Sequence, residues 1–291
     1  MREIDAFSAF HPALLLLYYV LVLAAAMCLT HPLCLAVSLL GAVVYAVRLR
    51  GGRAMLRTMG WMLPLLLLAA GTNVLFNHEG ATILTYFSSG NPLTLEALLY
   101  GLSSGVLLMT VLLWFTTFQQ VMTTDKFVYL FGRVIPALSL VLSMTLRFVP
   151  KFRAQLRAVR QARACMGEPE TDGFAAKVRR SVSDFSILVT WSLENAVETA
   201  DSMRARGYGL PGRTAFSIYH FDSRDRRLLA VLLACGTAVL TGWACGAFDW
   251  RYYPTVRGAW SGWTAACAAA ELALCLLPAA LDWREERTWR S

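Results

Sequence analysis

Charge is scarce in this chain. Of 291 residues, 16% are Asp, Glu, Lys or Arg, while 57% are hydrophobic. A soluble domain carries roughly 25% charged residues. So little charge cannot coat a globule of this size, which excludes an ordinary soluble enzyme, a nucleic-acid binder and a disordered protein. Lysine is nearly missing: Lys126, Lys151 and Lys177 stand against twenty-four arginines. Histidine occurs only at His11, His31, His78 and His220, too scattered for a metal or acid–base cluster. None of the seven cysteines forms a C-x-x-C pair, and six lie in or beside apolar segments, so they read as buried small hydrophobes. No Walker lysine loop is present, so the chain cannot hydrolyse ATP by itself.

What the sequence has instead is long apolar runs. A helix needs about 20 apolar residues to cross the hydrocarbon core. Six segments qualify or nearly do: about 12–29, 33–47, 60–76, 95–120, 228–247 and 259–281. The first is longer than the roughly 7–15 residues of a signal-peptide core, carries Glu3 and Asp5 before it, and is followed at once by a second run. It reads as a retained span. Arg48, Arg50, Arg53 and Arg57 follow the second run, and no Lys or Arg occurs between Arg57 and Lys126. Seventeen fall within 121–227. Lys and Arg mark cytoplasmic loops. The loops at 77–94 and 248–258 are therefore expected outside, the stretch 121–227 inside, and both termini inside. The chain divides into spans at 10–120, a coupling region at 121–227 and spans at 228–285.

The stretch 132–149 is ambiguous. Only Ala137–Leu146 is free of charge, too short to span but long enough for a re-entrant or interfacial helix. Beyond it, Phe148, Phe152, Leu156 and Val159 form one helical stripe. Residues 168–173 break that helix. A second helix is expected over about 182–207, with Leu193, Val197 and Ala200 on one face and Glu194, Glu198 and Asp201 on another. It ends at Arg206-Gly207-Tyr208-Gly209-Leu210-Pro211-Gly212, a string of stop signals. The fold class is an all-α polytopic membrane protein, with about six transmembrane helices and two long amphipathic cytoplasmic helices. Within the spans, Glu96 lies at the outer end of the fourth and Glu271 in the middle of the sixth, where an acidic residue is costly and often functional.

Two short sites resemble each other: Ala162-Arg163-Ala164 and Ala205-Arg206-Gly207. Each sets an arginine between small residues near the end of an amphipathic helix. Small neighbours let another protein's groove approach the backbone, and the guanidinium can fork onto a carboxylate or onto helix-end carbonyls. The bland alternative is a solvated or interfacial arginine.

At these residues the sequence resembles the transmembrane component T of energy-coupling factor transporters, the family that includes the permease subunit of cobalt importers. Met203-Arg204-Ala205-Arg206-Gly207-Tyr208-Gly209 is similar to the family's Ala-Arg-Gly motif, and Gln161-Ala162-Arg163-Ala164 to its earlier copy, with Ala164 where Gly is common. Met122–Lys126, Leu146–Pro150, and the outer-loop residues Asn77–Gly80 with Gly90–Pro92 share the family's look. The resemblance implies a non-catalytic scaffold without a cofactor, in a prokaryotic plasma membrane. It implies two ABC-type ATPases docking at Ala162, Arg163, Ala164 and at Ala205, Arg206, Gly207, with Arg160 and Arg204 in support. It further implies a small substrate-binding membrane subunit resting on Phe148, Phe152, Leu156, Val159, Leu193, Val197 and Ala200. The two arginine sites differ in context, which favours two different ATPases. Two other classes compete: an integral-membrane enzyme acting on lipid or isoprenoid substrates, whose only acidic cluster would be Glu194, Glu198 and Asp201, and a conventional permease with its own substrate path, for which only Glu271 speaks.

Overall fold

A computed structural model describes residues 5–86, 92–134, 136–166, 173–208, 210, 219–258 and 261–290. Among the described residues the chain forms nine α-helices: α1 (Pro12–Cys28), α2 (Pro32–Arg50), α3 (Gly52–Phe76), α4 (Leu95–Val121), α5 (Thr124–Val134), α6 (Pro136–Cys165), α7 (Phe174–Ala205), α8 (Ser223–Ala244) and α9 (Gly262–Arg290). Two short hairpins join them, β1 (Ile83–Tyr86) with β2 (Pro92–Thr94), and β3 (Trp250–Arg251) with β4 (Arg257–Gly258). The chain falls into two compact units, Met1–Phe127 with Tyr219–Ser291, and Val128–Ile218.

The first unit is a bundle of α1–α4, α8 and α9. Helices α2, α3, α4, α8 and α9 are long and apolar enough to cross a membrane, and α1 is an apolar helix of 17 residues. The protein is a multi-pass membrane protein. Its outer surface says the same: α3 buries only Met55, while Trp61, Leu67, Leu68, Leu75 and Phe76 stand exposed. Water would not tolerate that surface and hydrocarbon does.

Helix ends follow local chemistry. His11 and His31 each precede a proline at N1, and each accepts through Nδ1 from the amide two residues on, at 3.3 Å. Proline at N1 gives up an amide that would have no intrahelical partner. The two histidines are thus helix caps. The helices also run past the apolar limits read from sequence. α2 continues through Arg48 and Arg50 instead of stopping near 47, and α3 starts at Gly52, straight after the positive-φ Gly51. A charged residue ends a hydropathy run without ending a helix.

The core is aromatic. Trp114 on α4 is fully buried between Tyr18 and Tyr19 of α1, with ring centroids 6.1 and 6.4 Å away. Its indole nitrogen donates to Ser38 Oγ on α2 at 3.1 Å, which satisfies its one donor. Small residues let helices close up: Cβ atoms at Gly101 and Gly105 on α4 would meet the carbonyl oxygens of Ala70 and Leu66 on α3 at 2.8 and 2.9 Å. At one end of the bundle Arg48 pairs with Glu286 and Arg224 with Glu285, at 3.4 and 3.3 Å. At the other end Glu96 accepts from the Thr82 amide and hydroxyl, and the Asn77 side chain donates to the Tyr253 hydroxyl at 2.9 Å.

The second unit holds α6 and α7. The stretch 132–149 is not a separate element. α5 closes at Val134, and α6 runs unbroken from Pro136 through Pro150 to Cys165. Pro150 lies inside this 30-residue helix, within the stripe that runs from Phe148 to Val159. The second helix starts earlier than its apolar stripe suggests, at Phe174 instead of near 182. Residues 168–172 of the break expected at 168–173, and Gly90, Asn91, Gly209, Pro211 and Gly212, lie outside the described residues.

Candidate functional site

Helices α6 and α7 pack antiparallel, and named contacts fix the register. Lys151 Nζ donates to Asn195 Oδ1 at 3.0 Å and lies 5.4 Å from the Trp191 ring centroid. Phe152 meets the Trp191 ring edge-on at 5.8 Å and stacks on Phe148 at 5.8 Å. Further along, Arg160 and Arg163 reach Asp184. Each advance along α6 is matched by a retreat along α7.

This register sorts the two predicted apolar stripes. Phe148, Phe152, Leu156 and Val159 are half-buried, and Phe152 is packed on α7. Leu193 and Val197 are 65% and 64% exposed, and Ala200 is exposed too. The acidic residues Glu194, Glu198 and Asp201 are all exposed on the same helix.

The two arginine motifs, alike in sequence, occupy different positions. Arg206 is the C-cap of α7. The Gly207 amide donates to Arg204 O and the Tyr208 amide to Met203 O, each at 3.0 Å, the two bonds of a Schellman turn. That turn needs a left-handed residue, and Gly207 has φ +77°. Ala205 and Arg206 are exposed on this terminus, and Arg204 makes a long, exposed contact of 3.9 Å to Asp201. Arg163, by contrast, sits within the last turn of α6, two residues before its end. Ala164 continues the helix, so alanine fits where the second motif requires glycine. The side chain of Arg163 is only 18% exposed. Its Nη1 meets Asp184 Oδ1 at 2.6 Å, and its Nη2 donates to Ser183 Oγ at 2.8 Å. Arg160 Nε reaches the other Asp184 oxygen at 3.3 Å from a side chain 61% exposed. Ala162 and Ala164 are exposed beside it.

Asp184 and Trp191 were not singled out from sequence. Asp184 left a signal: it is the lone acidic residue between Phe174 and Leu193, a stretch that carries the three basic residues Lys177, Arg179 and Arg180. Among the described residues, no three His, Cys, Asp or Glu side chains gather as a metal site.

The family model for the cobalt transport protein CbiQ matches residues 10–216. The chain belongs to the CbiQ cobalt transport protein family. Among curated relatives, the energy-coupling factor transporter transmembrane protein EcfT 1 of Listeria monocytogenes is 29% identical over 195 residues, 60% of this chain and 71% of that protein. The EcfT of Bacillus selenitireducens is 33% identical over 105 residues, covering 35% of this chain and 39% of that protein. That of Lactobacillus helveticus is 29% identical over 101 residues, 34% of this chain and 36% of that protein. The matched stretches thus span well under half the length of two of these relatives. As a CbiQ family member, the chain carries both arginine motifs and the whole α6–α7 pair inside the matched region.

Proposed function

We propose that this chain is the non-catalytic transmembrane component of an energy-coupling factor importer. It joins two ABC-type ATPases, which hydrolyse the ATP, to a small membrane subunit that binds the micronutrient, a vitamin or a metal ion. One observation carries the reading. The antiparallel α6–α7 pair bears an arginine between small residues near the C-terminal end of each helix, and Arg206 stands exposed on a glycine-closed terminus. Carbonyls at a helix C-terminus carry partial negative charge, and the guanidinium adds a forked donor, so each end offers a compact polar knob to a groove. The names of the curated relatives support it.

In this reading the stretch 121–227 is the coupling region, flanked by spans at 10–120 and 228–285. It faces the cytoplasm with both termini. Arg163 and Arg206 are the docking residues, flanked by Ala162, Ala164, Ala205 and Gly207 and supported by Arg160 and Arg204. The exposed face at Leu193, Val197 and Ala200 receives the substrate subunit, together with the accessible parts of Phe148, Phe152, Leu156 and Val159. ATP-driven closure of the ATPases shifts α6 and α7 and tips that subunit in the membrane.

The experiment is to purify the tagged chain from its host in mild detergent, identify what accompanies it, and repeat with Arg206→Glu and Arg163→Glu. Two ABC ATPases with the wild type, lost in both variants along with uptake, is the expected result. A double variant that still transports overturns the reading.

A further inference from the structure

The geometry points to Asp184 as the positioning residue of the first arginine motif: a buried carboxylate on α7 that sets the guanidinium of Arg163, with Arg160 alongside, for its partner. This rests on the docking role proposed above for Arg163.

The Asp184 side chain is 4% exposed, and its two oxygens serve two different arginines of α6. The Arg163 guanidinium is held on more than one edge, by Asp184 Oδ1 at 2.6 Å, by Ser183 Oγ at 2.8 Å and by the Arg180 carbonyl at 3.4 Å. A long side chain fixed in this way has lost its rotamer freedom before a partner arrives, so docking does not have to order it. At the second motif, Arg206 is exposed, and no ion pair to it occurs among the described residues. There the glycine-closed turn fixes the backbone and leaves the side chain to the partner. One motif is thus pre-set through a carboxylate and the other through its backbone. Stability alone is a weak reason for the carboxylate, because a buried ion pair is often no better than apolar packing. Without it, two guanidiniums face each other across the same small space.

The test uses the full chain assembled with the ABC ATPases that co-purify with it, and reads ATPase association by titration alongside thermal melting. Asp184→Asn is expected to weaken association about tenfold or more. Added to Arg163→Ala it causes no further loss, because both act through one guanidinium. Added to Arg206→Ala its loss multiplies. Asp184→Glu, which keeps the charge, restores most of the association. Unchanged association in Asp184→Asn overturns the assignment, as does a loss that multiplies with that of Arg163→Ala. Should Asp184→Asn not fold, Asp184→Ser, which leaves Arg163 in place, is measured in its stead. A stable chain with weakened association supports positioning, one that binds as wild type overturns it, and a chain that folds in neither form makes Asp184 a purely structural residue. If Arg163→Ala and Arg206→Ala both bind as wild type, the docking reading itself fails and takes this inference with it.

Discussion

Lys126 Nζ donates to the carbonyl oxygen of Ser8 at 2.6 Å, across 118 residues of chain, and also to the Val121 carbonyl at 2.9 Å. One ammonium thereby closes the C-terminal end of α4 and pins the N-terminal segment against it, favourably placed at the negative end of a helix dipole. Burial pushes the Lys126 ammonium below the usual lysine range. Lys126→Met leaves two carbonyls without their donor, and is expected to destabilise by about 2–3 kcal/mol, read as a lower melting temperature in detergent. The pH dependence has a definite sign. A lysine whose folded pKa is depressed destabilises the fold while charged, and the penalty lifts as pH rises through the folded value. The wild type should therefore gain on Lys126→Met over the alkaline window just below the ordinary lysine range. A gap that narrows over that window contradicts the assignment.

Gly105 marks where α3 and α4 touch backbone to backbone, the Leu66 carbonyl lying 2.9 Å from where a Cβ would be. Carbonyls in a helix cannot swing aside as a flexible side chain does. Gly105→Leu should therefore part the helices at about 1–3 kcal/mol. Gly60→Leu, on α3 with no neighbour near its Cβ position, is the control, expected to melt close to wild type.

Gly207→Ala keeps the arginine motif but puts a side chain on a residue at φ +77°. The left-handed conformation then disfavours the Schellman turn by roughly 1–2 kcal/mol. Faster hydrogen exchange at the Gly207 and Tyr208 amides, with the rest of α7 unchanged, is the expected signature. ATPase association should weaken at the Arg206 site in the same variant.

Glu271 on α9 is completely buried, and its carboxyl has the Cys34 thiol of α2, a weak donor, beside it. A buried carboxyl so weakly partnered opposes folding by about 1–3 kcal/mol. Glu271→Leu should therefore raise the melting temperature, and a fall in melting would show that the contact with Cys34 stabilises the fold. Reduced uptake by that more stable variant would place Glu271 among the functional residues.

Much of the architecture was legible because a bilayer makes hydropathy a strong signal. The apolar runs located α4 within a residue, and the paired small–Arg–small motifs drew attention to the ends of α6 and α7 before their positions were known. Less legible was where helices stop. Arg48, Arg50, Arg53 and Arg57 interrupt hydropathy while the backbone ladder of α2 and α3 continues past them, because helical hydrogen bonding is indifferent to side-chain charge.

The sequence alone determined that this protein lives in a membrane, that its basic middle stretch forms two long amphipathic helices, and that Arg163 and Arg206 lie near their ends. Composition and period do that without tertiary information, because they act through local propensity and transfer from water. The tertiary structure alone decided what each arginine meets. Arg163 is drawn into α7 because antiparallel packing brings Asp184, twenty-one residues away, within 2.6 Å, while Arg206 projects from a turn that only the left-handed Gly207 can close. Which carboxylate faces which guanidinium is a matter of register between helices, and register is set by packing at Phe152 and Trp191, which no single segment encodes.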